Sequence, residues 1–278
     1  MIRQTLPYRL PAPRLRGAIV VALAAAVALS LLYTPAVYQR LGSHTVLWIY
    51  NLTVCLIAWV GVGLSFRLWR SFEPGEVLRT IWASLTMGLL LWTLGEGIWS
   101  VDQLIFGEQL PYPSAADAVW LAGYIPMCIG LYLRNRSLQI MPALKWRLAL
   151  FGMFLALTAL AVALVIQPIV ASRGSGVQHL VNLLYPIGDL VIAFGSLLIM
   201  LALVGGALSE AWGLVAAGYF LASVSDLLFA FADWRGIYQV GIDTGVNFIS
   251  YLVDLLYAMS YIVVTLGLYL LARLQKAI

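Results

Sequence analysis

Asp117-Ala-Val-Trp-Leu-Ala-Gly-Tyr-Ile-Pro-Met-Cys-Ile-Gly-Leu-Tyr-Leu133 and Asp254-Leu-Leu-Tyr-Ala-Met-Ser-Tyr-Ile-Val-Val-Thr-Leu-Gly-Leu-Tyr-Leu270 follow one pattern. Without a gap, Asp117 stands against Asp254, Trp120 against Tyr257 and Tyr124 against Tyr261. Gly130-Leu-Tyr-Leu133 stands against Gly267-Leu-Tyr-Leu270. Each stretch is apolar, long enough for a helix, and carries a carboxylate towards its start. Spacing of three and seven residues puts both aromatics of each copy on the carboxylate's side of the helix.

The composition names the solvent. Of 278 residues, 63% are hydrophobic and 10% are charged, with a mean hydropathy of +0.95. A soluble domain carries roughly a quarter charged residues. Too little polar surface remains to coat a globule in water, so lipid must meet much of the exterior. Cys55 and Cys128 both fall inside apolar runs, where a cysteine serves as a small packing residue and supplies neither a metal spacing nor a disulfide framework.

Apolar runs of about 20 residues mark spanning helices. Eight are expected, over 17–38, 44–66, 78–105, 115–133, 147–170, 178–204, 211–234 and 246–272. The first follows Arg3, Arg9, Arg14 and Arg16, in the manner of a signal peptide. It is read as retained because its Tyr33-Thr-Pro35 end has a counterpart in Ile166-Gln-Pro168 of the fifth. With the N-terminal four, Arg67, Arg70, Arg79, Arg134, Arg136, Lys145, Arg147, Arg273 and Lys276 make thirteen of sixteen basic residues on one side. Arg40, Arg173 and Arg235 fall on the other. The positive-inside rule makes the richer side, with both termini, cytoplasmic. The net charge of +4 is thus an orientation signal and points to no nucleic acid.

The opening repeat extends further. Asn51-Leu52 matches Asn182-Leu183, Glu96 matches Asp226, and Asp102 roughly matches Asp233. The expected fold is all-α and polytopic: a basic tail over 1–16, then two four-helix repeats over 17–138 and 139–278. Because four is even, the copies enter the membrane the same way and are parallel.

Five carboxylates lie within or at the ends of these spans: Glu96, Asp117, Asp189, Asp226 and Asp254. At about 1.5 Å per residue, all but Asp117 sit roughly 12–16 Å from the outer helix ends. No lysine or arginine lies at that depth. An uncompensated charge there costs about 2.5–3.5 kcal/mol or more, which makes an intramembrane acid a functional-site candidate by default. Asp117 has a second reading, because Ser114-Ala-Ala-Asp117 has the spacing of a capping box. Asp189 follows Tyr185-Pro186, where the proline frees backbone carbonyls; a ligand site and a simple kink both fit. Asp102, Glu108, Asp233 and Asp243 fall near the outer surface and read as solvated.

Trp48, Tyr50, Trp99, Tyr112, Trp234 and Tyr238 read as an interfacial belt. Trp120, Tyr124, Tyr257 and Tyr261 are deeper, where rings beside an acid line a pocket for a cation or flat ligand, or simply pack. His44 and His179 occupy corresponding places near outer helix ends, without a second ligand at helical spacing for a metal or haem. Gly95-Glu-Gly97 brackets an acid with small residues, which permits close helix approach. No zincin, nucleophile-elbow or Walker motif is present, so no enzyme is expected and no cofactor is named.

Pro111-Tyr-Pro-Ser-Ala-Ala-Asp117, with Trp120-Leu and Tyr124, resembles a signature of eight-helix membrane regions at the N-termini of bacterial signalling proteins. Those proteins include GGDEF diguanylate cyclases and histidine kinases. Leu184-Tyr-Pro-Ile-Gly-Asp-Leu190 resembles their second signature and the Asp226 region their third. The resemblance implies a sensor of the bacterial inner membrane, with Asp117, Asp189 and Asp226 as matched positions. After Leu271 only Ala-Arg-Leu-Gln-Lys-Ala-Ile follows, so the implied output belongs to a partner protein, membrane-bound or cytoplasmic. The expected function is a sensor or binding module for a small ligand or cation. A proton- or cation-coupled transporter and a structural subunit of a redox or photosynthetic membrane complex are the alternatives.

Overall fold

Proline sets the first architectural feature. A residue before proline is pushed out of the helical region, and Thr34 is extended at φ −67°, ψ 140°. Helix α1 (Ala12–Leu32) therefore ends, and α2 (Pro35–Leu41) leaves at 72° to it. The span expected over 17–38 is thus a bent pair, with Tyr33 at the bend. Its counterpart behaves differently. Helix α6 (Leu144–Ala161) runs through a π-helical stretch, Val162–Ile166, into α7 (Gln167–Ala171) without a break. Pro168 has no N–H to return to the preceding turn, and the widened stretch precedes it; the Gln167 N–H reaches back to the Val162 carbonyl.

The computed structural model describes residues 12–106, 112–138, 143–172, 176–202, 207–238, 240–241 and 245–278. Glu108, Asp243, Arg3, Arg9 and Arg173 lie outside them. The remaining helices are α3 (Ser43–Arg70), α4 (Val77–Phe106), α5 (Ala115–Ser137), α8 (Gly176–Ala202), α9 (Ala207–Trp234) and α10 (Phe248–Leu274). A two-residue ladder pairs β1 (Val240–Gly241) with β2 (Gly245–Val246) before α10. Among the described residues, seven helices are long and apolar enough to cross a membrane, or eight if the bent pair counts as one span. The protein is therefore all-helical in its membrane-competent part, as its composition requires.

Six helices close on themselves. Each of α3, α4, α5, α8, α9 and α10 packs on the next, and α10 returns to α3. The core fills this ring with Trp82, Leu85 and Leu89 of α4, Met127 of α5, Ile192 of α8, Tyr219 of α9 and Leu268 of α10. Helix α1 lies against α10 and α6 against α8, outside the ring. Leu148, Phe151, Leu155 and Leu160 of α6 are exposed, the pattern of a helix whose apolar face meets something other than water.

Two glycines set the ring's closest side-chain approaches to the acids. A Cβ on Gly95 would lie 2.5 Å from Cδ1 of Trp120, and one on Gly188 would lie 2.5 Å from Cδ1 of Tyr124. Each glycine immediately precedes an acid, Glu96 or Asp189. The missing side chain admits an aromatic ring of α5 to that acid. Pro186 does not break α8, which is helical throughout.

Candidate functional site

The interior acids are buried: Asp189 is 1% exposed, Asp117 5%, and Glu96 and Asp254 7% each. Asp226 is half-buried. Their partners come from other helices. On α4, Glu96 Oε1 accepts from the Trp120 indole of α5 at 3.1 Å and from the Tyr257 hydroxyl of α10. On α8, Asp189 Oδ1 accepts from Tyr124 of α5 at 2.6 Å. On α5, Asp117 Oδ1 accepts from Tyr185 of α8 at 2.9 Å. On α10, Asp254 accepts from Tyr33 at the α1–α2 bend (2.8 Å) and from Tyr238 in the α9–α10 connection (2.7 Å).

Every side-chain donor to these four acids among the described residues is therefore a phenol or an indole, and none carries a charge. A guanidinium does lie buried in the bundle: Arg134 is 8% exposed and sits 4.2 Å over the Trp212 ring. It is 17 residues along α5 from Asp117, about 25 Å of helix, and its side-chain contacts among the described residues are to Ser137 and the Trp212 ring, not to an acid.

The deeper aromatics do not serve the acid on their own helix. Trp120 and Tyr124 share a face with Asp117, but the first reaches Glu96 and the second Asp189. Tyr257 shares a face with Asp254 and reaches Glu96. Helical spacing places a ring correctly on its own helix, and the neighbouring helix decides what it touches. Tyr50 and Tyr238, expected in an interfacial belt, turn inward instead. Tyr50 is 8% exposed and donates to the Asp254 backbone carbonyl at 2.7 Å. Burial, and next the Asp254 carboxylate, push the Tyr238 phenol well above its ordinary pKa. Trp48 and Trp234 are exposed at 47% and 36%. Asp233 is exposed and Asp102 half-buried. His44 packs its ring near Trp48.

Three of the acids form one electrostatic group. Asp226 lies within electrostatic reach of Glu96 and Asp189, and of Tyr124, Tyr185, Tyr257 and Tyr261. The group has unused hydrogen-bonding capacity. The second oxygen of Asp189, Oδ2, is buried without a donor, and the buried Tyr261 hydroxyl makes no hydrogen bond of ordinary geometry. Asp226 receives no hydrogen bond from the described residues. Beside the group, Leu89, Trp92, Tyr219, Tyr257, Tyr261 and Val264 enclose a cavity of about 10 Å³, room for about one water molecule. Among the described residues, no three His, Cys, Asp or Glu side chains are grouped to ligate a metal.

Asp117 and Asp254 have hydrogen-bond partners of their own. Asp117 completes a cap: its Oδ2 accepts from the Ser114 N–H at 2.6 Å while Ser114 Oγ accepts from the Ala116 N–H. Asp254 is two turns inside α10, whose cap is Asn247. For four tyrosines that complete these sites, Tyr33, Tyr50, Tyr185 and Tyr238, no local sequence signal names the partner, which lies between 16 and 221 residues away. Gly188 does carry one, a small residue beside a buried acid, as in Gly95-Glu96. Comparison of the chain with family models, with curated proteins and with solved structures finds no match.

Proposed function

We propose that this protein is a membrane sensor or binding module. Its interior acids take up a small cation or polar ligand, and it acts through a partner protein. The observation that carries this reading is that each hydrogen-bonded acid is held by a neutral donor from another part of the bundle. Glu96 draws on α5 and α10 together, Asp189 on α5, Asp117 on α8, and Asp254 on the α1–α2 bend and the α9–α10 connection. Occupancy changes the charge of an acid, and the charge sets the strength of its hydrogen bonds. Binding thereby alters several contacts between helices at once, which is what a receiver needs.

The scaffold we propose is two parallel four-helix repeats with both termini cytoplasmic in a bacterial inner membrane. In support, α3–α4–α5 and α8–α9–α10 follow each other round the ring in the same order, and the basic residues gather on one side.

The test uses the full chain in nanodiscs. Trp120, one of ten tryptophans, donates a hydrogen bond to Glu96, so the emission that wild type shows and Trp120→Phe lacks reports on that acid. Steps in pH, Na⁺, K⁺ or tetramethylammonium are expected to change wild-type emission, and Glu96→Gln with Asp254→Asn is expected to abolish the change. A wild-type protein indifferent to all of these probes sinks the proposal.

A further inference from the structure

The acidic trio holds a surplus of acceptors. We propose that Asp189 and Asp226 share a single proton, making the α8–α9 contact a proton-binding site within the membrane-spanning bundle. This rests on the reading of the interior acids as a cation site and names the cation.

Two carboxylates in one low-dielectric site repel when both are ionised. Among the described residues no cation offsets them. The titratable groups within electrostatic reach of Asp226 are Glu96 from α4, Tyr124 from α5, Asp189 and Tyr185 from α8, and Tyr257 and Tyr261 from α10, and Cys128 of α5 is within reach of Asp189. The π-helical stretch that also packs on α9 is Val162–Ile166 and offers no titratable group. On α9 itself the flanking hydroxyls are committed elsewhere, Ser223 to the Tyr219 carbonyl and Ser225 to the Val253 carbonyl.

An ionised carboxylate only accepts, whereas a protonated one also donates. One proton, taken from water, turns Asp226 into a donor and lowers the trio's charge from three negative charges to two. It also explains the buried Asp189 Oδ2, which has no donor although Oδ1 is fully engaged by Tyr124. The adjoining cavity has room for a water and not for an organic molecule.

Infrared difference spectroscopy of the full chain in nanodiscs tests this. Near neutrality, wild type is expected to show a protonated-carboxyl C=O band that shifts in heavy water. Asp226→Asn and Asp189→Asn are each expected to remove it, because either change leaves the other acid free to ionise. Glu96→Gln is expected to retain it. Absence of the band in wild type, which needs no variant to fold, overturns the proposal. So does a band lost in Glu96→Gln and kept in both asparagine variants. Loss of the band on adding Na⁺ at fixed pH also overturns it, and would leave the broader cation-binding reading standing. Conversely, the band with no tryptophan response to any probe would sink the broader reading and leave the proton in place.

Discussion

Asp117 and Asp254 hold matched places in two nearly parallel stretches of sequence, yet they sit in different surroundings. Helix α5 begins at Ala115, so Asp117 falls in its first turn and binds the Ser114 backbone N–H. Helix α10 begins at Phe248, so Asp254 falls two turns in, where the helix's own N–H groups are already taken. Its two oxygens turn to Tyr33 and Tyr238. A difference of a few residues in where a helix starts converts a cap into an interior acceptor. Position in a repeat fixes which residue type is present, and helix boundaries fix what it does.

Three substitutions sharpen this contrast, each read by thermal unfolding in mild detergent. Asp254→Ala is expected to have the largest effect. It leaves two phenols without acceptors at about 1–3 kcal/mol each, roughly 2–6 kcal/mol together. Asp117→Ala loses a cap worth about 1 kcal/mol and leaves one phenol without an acceptor at about 1–3 kcal/mol, so a smaller fall of roughly 2–4 kcal/mol is expected. Equal losses from the two would break the contrast.

Tyr238→Phe is the mildest, at about 1 kcal/mol, and its signature lies in pH. Burial and Asp254 hold the folded-state phenol above its ordinary pKa. Its contribution is therefore complete below about pH 10, the unfolded value, and disappears as pH rises through the folded one. Wild type is expected to lose stability in alkali more steeply than Tyr238→Phe. Identical alkaline profiles would remove Tyr238 from the Asp254 site.

Much of this was legible in the residues. From Ser43 onward, apolar runs located each helix long and apolar enough to span a membrane to within a few positions, because a span needs a length and a composition that no local propensity can disguise. The acids stood out for the same reason, being costly where they are. The bend at Thr34-Pro35 is written in the proline, yet the apolar run continues through it, and hydropathy alone joins the two pieces. The partners were not legible. Tyr33 reaches Asp254 across 221 positions, and no periodicity encodes a contact of that range. Tyr50 and Tyr238 carry the sequence marks of a belt, since a tyrosine near a helix end suits headgroups and a buried carboxylate equally well. Trp120 was placed on the correct face of α5, but its target depends on Gly95 leaving a vacancy in the facing helix.

A closed circle of six helices has no loose margin. If one member tilts, both of its neighbours must yield, and the disturbance travels in two directions until it meets itself on the far side. Glu96 of α4 holds the next member, α5, and reaches past α3 to α10, through separate hydrogen bonds. Its relaxation would therefore be felt as a change in the girth of the whole barrel of helices, which α1 and α6, leaning on the outside, are placed to register.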